Sequence, residues 1–85
     1  MQKRGRLEII RDILKIIQEN RNAMKITPLI RKSNLSSQRF LEYFNDLEKK
    51  GFVKRIENKV TITDRGCKYL EKYKNIINFV EEFDL

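Results

Sequence analysis

Residues 27–51 read TPLIRKSNLSSQRFLEYFNDLEKKG, and this stretch decides the fold. Thr27-Pro28 is a helix-start pair, a capping hydroxyl followed by a proline whose missing N–H does no harm there. The helix it opens is short, Leu29 to Lys32, because Ser33-Asn34 is a stop signal. Ser36 or Ser37 then caps a longer helix running to Lys50, on which Phe40, Phe44 and Leu47 point together with Leu41 and Tyr43 on the borders. Gly51 ends that helix, as suits a residue that tolerates left-handed backbone. Between the two helices, Asn34 can take the left-handed conformation and Leu35 can plug the turn into the core.

Working outward, Phe52 to Ile56 and Lys59 to Thr63 are β-rich runs around Glu57-Asn58, which marks a tight hairpin with Asn58 at positive φ. A two-residue turn pairs Val53 with Ile62 and Arg55 with Val60 on one face, and Lys54 with Thr61 on the other. Thr63 caps a last helix to about Phe83, with Asp64 at its positive end. On the N-terminal side, Arg6 to Asn20 is helical, and Ala23 to Ile26 is a short extended stretch. Leu7, Ile10, Leu14 and Ile17 form the face expected in the core, while Ile9, Ile13 and Ile16 form a second stripe about 90° away.

Composition bounds the function. The 85 residues support one domain, with 40% apolar residues for a modest core and no apolar run long enough to span a membrane. The first residues do not read as a signal peptide, since Glu8, Arg11 and Asp12 interrupt the apolar positions. A single cysteine excludes an internal disulfide and a cysteine-based zinc site, and fits a reducing cytoplasm. There is no histidine and no glycine-rich phosphate loop, so the residues usual in acid–base chemistry are missing; no enzyme, cofactor or metal is expected. Glu81, Glu82 and Asp84 read as a solvated helix end rather than a catalytic or metal cluster, and Cys67 as a small core residue.

The net charge of +7 is unevenly distributed: residues 1–63 hold 15 basic and 7 acidic side chains, residues 64–85 hold 4 and 5. Clustered positive charge suits a polyanion. Two helices across a three-residue turn followed by a basic hairpin describe an α+β winged helix-turn-helix with an extended C-terminal helix. Its second helix can enter a major groove by its first turn. Arg39 can reach guanine and Gln38 adenine there, and Ser36 and Ser37 suit phosphates. Lys25, Arg31 and Lys32 are expected on the DNA backbone, and Lys54, Arg55 and Lys59 form the wing. Residues 36–51 are electrically neutral, so most phosphate charge must come from outside that helix.

The stretch from Lys25 to Tyr73 resembles the small archaeal winged helix-turn-helix proteins, transcriptional regulators or chromatin-associated proteins. The matching pieces are Asn34-Leu35-Ser36, Tyr43 and Leu47, Lys50-Gly51-Phe52, and Thr63-Asp64-Arg65-Gly66. The resemblance implies double-stranded DNA as partner and a nucleoid-associated place in the cytoplasm. Some relatives dimerise through an antiparallel coiled coil of C-terminal helices. Other uses of the fold are a protein-interaction module of the transcription machinery and RNA binding.

Self-association is also expected from the residues. Residues 1–73 read as the DNA-binding domain and 74–85 as a dimerising extension, reaching about 15 Å past the core at 1.5 Å per residue. Ile76, Ile77, Phe79, Val80 and Phe83 there, with Ile9, Ile13 and Ile16 alongside, are the expected homodimer surface. A partner's Lys3, Arg4 or Arg6 is expected to offset Glu81, Glu82 and Asp84.

Overall fold

The computed structural model describes residues 4–85. Its elements are α1 (Arg6–Glu19), β1 (Ala23–Lys25), α2 (Ile26–Ser33), α3 (Ser37–Lys49), β2 (Val53–Ile56), β3 (Lys59–Ile62) and α4 (Asp64–Glu82). The strands form an antiparallel sheet in the order β1-β3-β2.

The centre of the molecule is α1, which packs against α2, α4, β1 and β3. A helix with neighbours on several sides needs more than one apolar face, and both of its isoleucine-rich stripes are used. Ile9, Ile10, Ile13, Leu14 and Ile17 are all buried, each stabilising the fold by about 1.5–3 kcal/mol. This corrects the expected homodimer surface: Ile9 and Ile13, at 1% and 0% exposure, lie in the chain's own core, and Ile16 is half-buried against it. Leu7, assigned to the core face, is instead 61% exposed. It sits one turn too early to be covered, and its carbonyl accepts a hydrogen bond from the Tyr69 hydroxyl at 2.9 Å. Arg4 and Arg6 are also engaged within the chain. Arg4 binds the Asp12 carboxylate at 2.9 Å and the Ser33 carbonyl at 3.0 Å, and Arg6 binds Asp46 at 2.9 Å. They are therefore not free to offset a partner's acids, and Lys3 lies outside the described residues.

The turn between α2 and α3 follows its residue types. Asn34 is left-handed, with φ 61° and ψ 28°, and Leu35 packs against the core. The buried Ser33 hydroxyl donates to the Ile30 carbonyl at 2.6 Å and accepts from the Leu35 N–H at 3.3 Å. Ser36 is the cap of α3, its Oγ accepting from the Arg39 N–H at 3.2 Å. Phe40, Phe44 and Leu47 are buried below, the two rings stacked 5.5 Å apart. The start of α2 departs from expectation: β1 runs directly into it, so Lys25 is the N-cap, without a side-chain cap bond, rather than Thr27. Pro28 becomes the third helical residue, still in the turn whose N–H groups have no intrahelical acceptor.

The hairpin has the expected register, Val53 opposite Ile62, Lys54 opposite Thr61 and Arg55 opposite Val60. Its positive φ falls on Glu57 (58°) and not on Asn58, the sign pattern of a turn with its first central residue left-handed.

Beyond the hairpin the chain is tightly joined. The Thr63 hydroxyl donates to the Gly51 carbonyl at 2.6 Å and accepts from the Gly66 N–H at 3.1 Å. Gly66 is buried, and a Cβ there would stand 2.4 Å from the Phe52 carbonyl oxygen and 2.7 Å from the Ile62 side chain. Absence of a side chain lets α4 lie directly on the base of the hairpin. Gly66→Ala is therefore expected to cost about 1–3 kcal/mol, with the melting temperature falling about 4–8 °C per kcal/mol in thermal denaturation.

Candidate nucleic-acid interface

The first turn of α3 is presented to solvent by the buried aromatic pair beneath it. Ser36, Ser37, Gln38 and Arg39 are all exposed. The Ser36 oxygen is occupied as a cap acceptor, which leaves its O–H as the available donor. Arg39 lines an open depression with Arg6, Glu42, Tyr43 and Asp46. Arg31 and Lys32 occupy the last turn of α2, both exposed, and Lys32 donates to the Asn20 side-chain oxygen at 3.3 Å.

Asp46 bears on the neutrality of α3. It is bonded to Lys50 and to Arg6, each at 2.9 Å. The hydrogen bond from Lys50 holds its carboxyl below the ordinary value of 3.8 against an opposing effect of desolvation, with the nearby charges of Lys50, Arg6 and Lys49 adding to the lowering. One of the three acids of the helix is thus neutralised where it stands.

The sheet brings together cations that are far apart in sequence. Lys59 lies opposite Lys25 on one side and Ile56 on the other, and Thr61 lies opposite Ala23 and Lys54. By the alternation of a strand these residues share the outer face of the sheet. Met24, Val53, Val60 and Ile62 are buried on the inner one. Lys25, Lys54 and Lys59 therefore form one basic surface. Arg55 is not part of it: it belongs to the inner-face row at the exposed end of the hairpin, where its Nε donates to the Glu57 carbonyl at 3.4 Å. Direct opposition of Lys25 and Lys59 is unfavourable in the absence of an anion, since like charges across a ladder repel. Sequence reading missed this pairing, because a three-residue strand carries no periodicity from which to find a distant partner.

Among the described residues, no group of His, Cys, Asp and Glu side chains is arranged to hold a metal ion, and no helix is long and apolar enough to cross a membrane. A family model described as winged helix-turn-helix matches residues 3–81. The chain belongs to the winged helix-turn-helix family. In the terms of that family, α3 is the recognition helix and β2–β3 the wing. Among solved structures, the chain is similar to Sso10a-2, a DNA-binding protein from Sulfolobus solfataricus. The two share 24% identity and a TM-score of 0.75, over 94% of this chain and 85% of that one. At that identity the likeness speaks for the fold. No curated protein matches the chain.

The Asp46 ion pairs give a pH signature. A carboxylate whose folded value is lowered contributes stability that is complete above its unfolded value and is lost as pH falls through the folded one. The stability difference between the wild type and Asp46→Asn, measured by urea denaturation, is expected to be constant above about pH 5 and to shrink below about pH 4.

Proposed function

We propose that this winged helix-turn-helix protein binds duplex DNA as a homodimer, without catalysing a reaction, as a nucleoid-associated regulator or chromatin protein of an archaeal cytoplasm. The observation that carries the DNA reading is the basic outer sheet face, with Lys25 and Lys59 held opposite each other at a cost that a polyanion would relieve. The exposed first turn of the recognition helix supports it. Arg39 and Gln38 are the base-reading side chains, and Ser36 and Ser37 the phosphate donors. Lys25, Arg31 and Lys32 contact the backbone, as do Lys54 and Lys59 from the outer face of the wing, with Arg55 reaching it separately from the exposed end of the hairpin.

Residues 1–73 are the DNA-binding unit and 74–85 the dimerising extension. The support is apolar surface the domain leaves uncovered: Ile76, Phe79 and Phe83 are 62%, 55% and 58% exposed on one α4 face. Ile77 is exposed to a lesser degree and Val80 is half-buried. Exposed apolar surface so concentrated marks an interaction site.

Titration of the protein against duplex DNA at several salt concentrations tests the main reading. If a dimer neutralises about six phosphates, log K falls with log salt at a slope near −5. Failure to bind duplexes at low salt would refute it. Individual roles separate in the same assay. Arg39→Ala is expected to flatten preference among sequences by about 1–3 kcal/mol. Lys59→Ala should weaken all duplexes alike while raising the stability of the free protein by a few tenths of a kcal/mol. For the dimer, Ile76→Asp with Phe79→Asp is expected to sediment as a monomer and to bind DNA more weakly, because two linked half-sites become one.

A further inference from the structure

The outer face of the sheet carries one large apolar side chain. Ala23 and Lys25 of β1, Lys59 and Thr61 of β3, and Lys54 of β2 are small or polar, and Ile56 completes the face at the free end of the hairpin. Ile56 is 64% exposed and lies outside the apolar core. Its strand partner is Lys59, which is paired on its other side with Lys25, and Lys54 stands two residues back on the same strand. Three lysines that make no ion pair among the described residues therefore surround an unburied isoleucine. A lone exposed apolar residue is ordinary on a protein surface. Ile56 is set apart by its place, at the projecting tip of the face that suits a polyanion.

The tip is also braced. Ile56 and Lys59 close a two-residue turn, with Glu57 in left-handed backbone at φ 58°. The Arg55 Nε donates to the Glu57 carbonyl at 3.4 Å, and the Thr61 hydroxyl donates to the Lys54 carbonyl at 3.4 Å further back along the hairpin. The same arginine keeps a cation beside the one acid of the turn. A β-branched side chain has few χ1 states, so Ile56 has little freedom to lose when it is pressed against a partner. Asn58, exposed beside it, carries an amide of the kind that reads minor-groove acceptors.

We infer that Ile56 is a wedge that enters the minor groove and partly unstacks a base step, so that the protein kinks the duplex it binds. This rests on the duplex-DNA reading and adds an activity to it. With the first turn of α3 in a major groove, a wing that reaches past the flanking backbone meets the minor groove, because the two grooves alternate along a duplex. Lys25, Lys54 and Lys59 take the phosphates at its edges, and the apolar tip meets the bases between them. Apolar side chains inserted in this way bend DNA by about 20–90° toward the major groove. Pyrimidine–purine steps, TA and CA/TG, unstack most readily, so the wedge confers a preference for flexible steps without a hydrogen bond to any base. Contact with a thymine methyl in the major groove, the other use for an exposed isoleucine, leaves the duplex straight.

Short duplexes with a fluorophore at each end and 2-aminopurine at a central TA step test this, since energy transfer reads the bend and 2-aminopurine fluorescence the unstacking. They are titrated at low salt with the wild type, Ile56→Leu and Ile56→Thr, with circular dichroism checking the fold of each. The wild type is expected to shorten the end-to-end distance, to brighten the 2-aminopurine, and to prefer the TA duplex to a stiff A-tract by about tenfold. Ile56→Leu keeps all three effects. Ile56→Thr, still β-branched and suited to a strand, loses the bend, the brightening and the preference. Its salt slope stays that of the wild type, because no cation has changed. A wild type that binds but leaves the duplex straight, or an Ile56→Thr protein that bends it equally, overturns the wedge and leaves DNA binding standing. Failure of the wild type to bind any duplex overturns both.

Discussion

Everything in this fold depends on α1 being buried on more than one side. With α2, α4 and the sheet all resting on it, Ile13, Leu14 and Ile17 lose all solvent contact. Removing such a side chain to alanine costs about 2–5 kcal/mol, against a total of about 5–15 kcal/mol for a domain. The helix-turn-helix and the wing are small elements, eight, thirteen, four and four residues long, with little capacity to stand alone. They are held in mutual orientation because each packs on the same apolar core. The functional surface is thus the outside of a structure organised from its first helix.

Charge is partitioned to match. Asp12 of α1 and Asp46 of α3 are engaged by neighbouring cations, Asp12 by Arg4 and Arg11, and Asp46 by Arg6 and Lys50. The Asp46 pairs are solvent-exposed and add little to stability, while the Asp12 pairs are half-buried. Their effect is on the field: they offset negative charge near the recognition helix, while Lys25, Lys54 and Lys59 of the outer sheet face make no ion pair among the described residues. Lys50 and Asp46 cancel within the neutral stretch, so the excess positive charge beside it comes from Arg6 of α1.

Much of the fold was legible because local rules and tertiary structure agree. The left-handed Asn34, a serine cap at Ser36 or Ser37, the stop at Gly51, the hairpin register and the Thr63 cap all follow from residue type and spacing, and the exposed first turn of α3 follows from the wheel that buries Phe40 and Phe44. What was not legible depends on neighbours. Periodicity gives the angle between the Ile9 and Ile10 stripes but not how many elements will cover them, so a central helix reads as a core face plus a surplus face. Arg4 and Arg6 look like free N-terminal charges until the folded chain places Ser33 and Asp46 beside them. The opposition of Lys25 and Lys59 requires a strand pairing across 34 positions, and no local pattern in Ala23–Lys25 encodes it.

The joint at Thr63 has a mechanical consequence. One hydroxyl ties Gly51, two residues past α3, to the first turn of α4, the Thr63 N–H donates to the Phe52 carbonyl, and Gly66 presses the helix onto that same carbonyl. No flexible linker separates α3 from α4, so the two behave as a single bent lever. In a twofold pair joined through α4, the distance and angle between the two reading heads would be a property of the protein, like the fixed gap of a calliper. Any duplex that engages both must then supply the matching curvature itself.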